Sequence, residues 1–417
     1  MRLLKLTLLL AAIGINTCFA QTLTLEDAFE LARKNYPAIQ KNELIKKATD
    51  FSLQNVSKAY LPQVSVSGQA TYQSEVTSIP LNMPGIQEMS KDQYRIQAEV
   101  SQLLYDGGNI QAQKDLIKAN EAVQEQAIEV TMQNVNEKIT DMYFGVLMLD
   151  EQLKQNNLRR ESLNSALKKA EAAYANGVSY KSNVNELKAE LLNVDMSDIE
   201  IKSNQQAYKD MLGEMIGQNI TEAQTFTFPQ NISTEALTLN RPEVKLYDLQ
   251  KNVYEVQKKK YNAEWMPKVS AFVQGGYGRP GLNMLNNDFS PFAIGGIRFS
   301  FPINSLYTYK NNIKIAELNQ QQLEVDKENF IVNNNLQLKQ KQREIEKYQA
   351  LINEDDKIIE LRQSVTQSAQ AQLDNNVITV SEFIAKLNAE HLARQTKYLH
   401  QLQLLKSKYN LSKTLGN

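Results

Sequence analysis

Cysteine is almost absent from this sequence: one residue in 417, at position 18, beside only two histidines. A single thiol builds neither a disulfide framework nor a thiolate metal site. His391 and His400 lie on one helical stretch with no thiol or carboxylate pattern around them, so they read as surface or packing residues. Proline and glycine are scarce, 10 and 16 residues, and cluster in a few places that must be the joints between long elements. Charge of one sign is lacking too: 46 basic against 47 acidic residues leave −1, which excludes a nucleic-acid footprint. Past residue 20 no apolar run approaches the length of a membrane helix, so insertion into a bilayer would have to be by β-strands. No nucleophile–base pair stands out. Gly275-Gly276-Tyr277-Gly278 follows a strand rather than opening a helix, which points to close packing and not to phosphate binding. The sequence therefore predicts no enzyme, no cofactor and no metal.

What is there begins with Met-Arg-Leu-Leu-Lys, an apolar core over Leu6–Ile15, and Cys18-Phe19-Ala20 before Gln21. Residues 1–20 read as a secretory signal peptide. Cys18 raises the question of a lipid anchor, but Ile15-Asn16-Thr17 is a poor match to the usual Leu-Ala/Ser-Gly/Ala ahead of a lipidated cysteine.

A helix is expected from about 108 to 176. Ile139, Met142, Val146, Leu149, Leu153, Leu163, Leu167, Ala170 and Tyr174 alternate three and four apart, with Asn156 and Arg160 in the two remaining slots. A seam held on a 3.5-residue period marks a coiled coil, and a helix of that length spans roughly 100 Å. Around it the chain runs helix, strand, loop, strand, long helix, turn, helix. Thr24-Leu25-Glu26-Asp27 carries a helix-start pattern. Period-two alternation predicts strands over about 63–76 and 93–105, joined by a loop over 77–92, and a further helix covers 180–216.

The programme then recurs. Asn35-Tyr36-Pro37 answers to Asn240-Arg241-Pro242, and Tyr60-Leu61-Pro62 to Trp265-Met266-Pro267, both at an offset of 205. Strands are expected at about 268–278 and 291–302, a second long helix at about 307–373, and a last helix at 380–415. This divides the chain into a first repeat over 21–217, a linker over 218–241 and a second repeat over 242–417. Four strands cannot close a membrane barrel alone, and open edges are not tolerated in lipid. Several copies must pool their strands; three would give twelve, although this reasoning does not by itself choose the number. Tyr60, Tyr105 and Trp265 sit at strand ends, where they either anchor a barrel at the membrane interface or pack beneath its mouth.

At the breaks the residues become specific. Ala173-Tyr174-Ala175-Asn176-Gly177-Val178-Ser179, Asn183-Val184 and Leu187-Lys188-Ala189-Glu190 resemble the helix-turn signature of TolC-like outer-membrane efflux proteins. Leu25-Glu26-Asp27-Ala28, Leu61-Pro62 and Tyr105-Asp106-Gly107-Gly108 resemble the same family, in the same order. The resemblance implies a mainly helical fold with membrane β: a long antiparallel coiled-coil helical barrel, and four strands per chain in a trimeric twelve-stranded β-barrel. It implies a passive exit duct in the outer membrane of a Gram-negative bacterium, extending into the periplasm. The partners would be a periplasmic adaptor and an inner-membrane transporter. The adaptor would meet the helix-turn tips, Gly177-Val178-Ser179 and Asn376-Val377-Ile378-Thr379, where Asn376 stands in place of the family's glycine. A periplasmic gate is implied near Glu382, with Asn183 at the corresponding place after the first tip; a helix-start role for Glu382 explains it equally. The rival to the channel is a periplasmic coiled-coil scaffold whose hairpins are soluble.

Overall fold

The computed structural model describes residues 22–77, 89–221, 224–229, 239–375 and 377–416. The leader expected over 1–20 with Cys18, most of the loop expected over 77–92, parts of the linker expected over 218–241, and Asn376 lie outside the described residues. The elements are α1 (Leu25–Asn35), α2 (Pro37–Ser57), β1 (Gln63–Tyr72), β2 (Asp92–Tyr105), α3 (Asn109–Ala175), α4 (Lys181–Ile216), α5 (Pro242–Glu264), β3 (Lys268–Arg279), β4 (Ser290–Ser300), α6 (Ser305–Asp374) and α7 (Val380–Leu415). α2 gives way at Lys58–Tyr60 to a 3-10 turn before Pro62. β1 ends at Tyr72 rather than near 76. No described helix is long and apolar enough to cross a membrane.

The chain divides into two compact units. One takes Asn42–Ala127 and Glu243–Asn329 and holds the sheet. Its four strands form an antiparallel meander, β1-β2-β3-β4. The register aligns like with like: Val64 opposes Val100, which opposes Val273, while Ser65 opposes Glu99, which opposes Gln274. One face is therefore apolar across all four strands, ending in Ala271 opposite Ile297 and Val269 opposite Phe299. Its side chains stand free in the single chain, Val66 at 71% and Phe299 at 75% exposure. A bulge between Leu103 and Tyr105 interrupts the alternation and sets Tyr105 opposite Val269, on the apolar side.

On the polar face Arg298 grips Glu99 through both carboxylate oxygens, at 2.8 and 3.2 Å, and lies over the Phe272 ring. The outer edges of β1 and β4 have no partner strand among the described residues.

Strand passes to helix through Tyr105-Asp106-Gly107-Gly108. The buried Asp106 carboxylate accepts from Gly108 N at 2.9 Å and Ile110 N at 2.6 Å, covering amides that the start of α3 leaves unpaired. Gly107 has φ +72°, and a Cβ there would lie 2.3 Å from Met266 Cβ. Only glycine fits.

The other unit takes the described residues up to Lys41, Ile128–Pro242 and those from Phe330 onward. Thr24 and Asp27 form a capping box that opens α1. The seam residues Ile139, Val146, Leu149 and Leu163 are buried as their spacing predicts, whereas Tyr174 is exposed. Beside them is a group that the spacing did not single out. Tyr143 is fully buried; its hydroxyl donates to the Leu23 carbonyl at 2.7 Å and accepts Thr227 N–H at 3.1 Å. Phe226 packs on its ring, and Leu23 bridges to Phe226 in parallel.

Two joints in this unit match. Gly217, left-handed at the end of α4, presses against Asn35, whose Nδ2 donates to Ile216 O at 2.7 Å. Gly416, left-handed after α7, presses against Asn240, whose N donates to Leu415 O at 2.6 Å. The two Asn-X-Pro motifs thus each receive a helix end.

Candidate functional site

The turn after α3 is built by Gly177. At φ +74° it closes a Schellman cap: Gly177 N donates to Tyr174 O at 3.0 Å and Val178 N to Ala173 O at 2.9 Å. The Asn176 side chain adds a bond to Ala172 O at 2.9 Å. After α6 two of these bonds have counterparts: Val377 N donates to Gln372 O at 2.8 Å and Asn375 Nδ2 to Ala371 O at 2.8 Å. Both turns push an aliphatic side chain outward, Val178 at 65% and Val377 at 70% exposure.

The restarts differ. Thr379 caps α7 in a capping box: its Oγ1 accepts from Glu382 N at 3.2 Å, and Glu382 Oε2 accepts from Thr379 N at 2.8 Å. The Thr379 amide holds the exposed Glu382 carboxyl below its ordinary range. α4 has no such box. Tyr180 is its N-cap without a side-chain bond, and Asn183 Nδ2 reaches Ser179 Oγ at 3.1 Å. The capping box gives Glu382 the helix-start role that was the alternative to a gate.

Beneath the turns the two hairpins share one core. Leu163 and Ala166 of α3, Leu187 and Val194 of α4, Ala369 of α6, and Val380, Phe383 and Leu387 of α7 pack together. Burying a side chain such as Phe383 is worth roughly 1.5–3 kcal/mol. Above this core a cleft of about 440 Å³ opens between the hairpins, lined in part by Val178, Tyr180, Leu373 and Ile378. Lys169 Nζ donates to Asp374 at 2.7 Å across it, and that bond lowers the Asp374 pKa. Ser381 bonds Glu186.

Deeper, Glu190 gathers Arg159, Asn193 and Asn388. Burial alone would raise its pKa, but these donors hold it below the usual carboxylate range. Next to them burial, reinforced by the Arg159 charge, pushes the His391 imidazole down to about 4. His391 is therefore neutral at ordinary pH. His400 Nδ1 meets Asp355 at 2.6 Å. Among the described residues no cluster of His, Cys, Asp and Glu could hold a metal ion. The sequence reading missed these ties between hairpins: Lys169, Asp374, Glu186 and Glu190 are ordinary helix-surface residues until the partner helix is known.

Residues 28–218 match the family model described as outer membrane efflux protein. Over that stretch, a little under half of the chain, the sequence is similar to TolC-like outer-membrane efflux proteins. No curated protein matches the chain in sequence. The fold is that of the outer membrane protein VceC of Vibrio cholerae, at TM-score 0.68 and 16% identity over 94% of this chain and 96% of that one. The outer-membrane channel OprN superposes at TM-score 0.70 and 13% identity, over 94% and 89% of the two chains. The Campylobacter jejuni CmeC outer membrane channel does so at 0.65 and 15%, over 94% and 85%. The predominantly helical fold of this chain, with four antiparallel strands, is the fold of those channels.

Proposed function

We propose that this protein is the passive exit duct of a tripartite efflux machine. Three copies close their sheets into a twelve-stranded barrel, and the helices carry the passage into the periplasm. The observation that carries this reading is the single sheet with one largely apolar face, one largely polar face and, among the described residues, two open edges. Such an apolar face invites aggregation in water, and such edges are unstable in lipid until neighbouring copies pair with them. A soluble scaffold would need neither feature. Energy comes from an inner-membrane transporter, reached through a periplasmic adaptor that docks on the tips.

The docking residues are Gly177, Val178 and Ser179 at the first tip, and Asn376, Val377 and Thr379 at the second. Val178→Asp keeps the glycine turn and places a charge in an apolar contact. Loss of a contact of this kind costs about 2 kcal/mol or more. Efflux and adaptor crosslinking should fall to background in cells carrying Val178→Asp, while oligomer yield stays at the wild-type level. Wild-type efflux and crosslinking in that variant would remove the first tip from the docking surface.

Glu382, with Asn183 opposite it in the sequence plan, is assigned to the periplasmic entrance. Three such carboxylates in a narrow mouth attract trivalent cations through a poorly screened field. Glu382→Gln should weaken block of channel current by a trivalent cation; equal block in both proteins would leave Glu382 as a helix cap only.

A further inference from the structure

The polar face of the sheet carries a cation that its own carboxylate does not neutralise. Glu99 is taken up by Arg298, at 2.8 and 3.2 Å. Arg95, four residues along β2, makes no ion pair among the described residues; its guanidinium lies over the Phe292 ring, 5.3 Å from the centroid. The backbone is shaped for that stack. A Cβ on Gly276 would lie 2.6 Å from Phe292 Cζ, and one on Gly278 would lie 3.3 Å from Arg95 Cα. The two glycines let the ring lie flat on β3 and let Arg95 cross above it. The ring is 9% exposed, covered from above by Arg95, which is itself exposed. A guanidinium set over an aromatic ring is sheltered on the ring side and open on the other. That open face offers both a positive charge and a stacking plane.

We propose that Arg95, stacked on Phe292, is a binding platform for planar aromatic anions passing through the barrel. The assignment rests on the reading of the polar sheet face as the lumen wall. A threefold assembly sets three platforms in one ring, because every copy places Arg95 at the same height. Arg298 does not duplicate the site: its charge is held by Glu99, although it too lies over a ring, that of Phe272. Lys268, on the same face at the other end of β3, adds positive charge without a plane.

The probe is pyrene tetrasulfonate, a planar aromatic polyanion, whose fluorescence anisotropy is followed with the full oligomer in detergent. Binding is expected, with sodium sulfate at matched ionic strength failing to displace the dye. Arg95→Gln should weaken binding about tenfold. Arg95→Lys, which keeps the charge and loses the plane, should also weaken it, and Lys268→Gln should leave it within about twofold. Unchanged affinity in Arg95→Gln, or equal weakening by Lys268→Gln, would overturn the platform in favour of diffuse positive charge. Oligomer yield of each variant is read from the same preparation, so a folding defect is seen as such. Single-channel recording separates this proposal from the one beneath it. A protein that binds the dye through Arg95 and never conducts overturns the duct reading; a conducting protein whose affinity ignores Arg95 overturns the platform.

Discussion

Gly107→Val is expected to abolish stable oligomers, whereas Gly108→Ala, one residue on, is expected to leave them nearly intact. Both glycines have positive φ, +72° and +84°. Any L-residue there pays for the left-handed backbone at roughly 1–2 kcal/mol. At Gly108 nothing lies within 4 Å of an added Cβ, so alanine meets only that term. At Gly107 the new Cβ would meet Met266 Cβ at 2.3 Å and the Ala263 carbonyl at 3.3 Å. The end of α5 would have to move away from the strand–helix joint. Overpacking of this kind adds about 1–3 kcal/mol, and β-branching worsens the backbone term. Altogether the loss approaches the whole stability of a small cooperative unit. The measurement is oligomer yield in unheated gels together with the urea midpoint of each variant. Equal yields for the two variants would show that the joint does not depend on this contact.

The fold was legible where a residue's neighbours along the chain decide its conformation. Gly177, Thr24 with Asp27, and Thr379 with Glu382 are local devices, and their spacing alone locates a turn or a helix start. The alternation of β1 and β2 likewise carries its meaning in the chain, because the pleat has a period of two. What the chain does not write locally was missed. The bulge that turns Tyr105 to the apolar face comes from pairing with β3, more than 160 residues away in sequence. Tyr143 sits beside the coiled-coil stripe, and only the bridge of Leu23 with Phe226 explains its burial.

The polar slots at Asn156 and Arg160 show the same limit. In the sequence they are gaps in a seam. In the fold Asn156, at 2% exposure, donates to Asp198 at 2.9 Å and to Ser197 at 3.0 Å. Arg160 reaches Asp195 and Asp198, each at 2.7 Å. A satisfied polar pair inside an apolar seam permits one register of α3 against α4 and penalises the shifted ones. The candidate site was legible to a similar degree. The turn residues were visible, while the ties beneath them, such as Glu190 with Arg159 and Asn388, needed the second hairpin in place.

The central claim is that one face of the sheet meets lipid and the other meets water inside a pore. Cys18 is the sequence's one cysteine, so with Cys18 replaced by serine a single introduced thiol reports alone. Neighbouring positions on β1 provide the contrast: Val64 and Val66 on the apolar face, Ser65 and Ser67 on the polar face. Each is replaced by cysteine, the protein is reconstituted in liposomes, and labelling by a charged, water-soluble maleimide is timed. A thiol in lipid is kept protonated and away from the reagent, whereas one on a water-filled wall forms thiolate freely. The account predicts that cysteines at 65 and 67 label faster than those at 64 and 66 by about tenfold or more. Equal labelling along the strand would mean that both faces see water, and would contradict the channel.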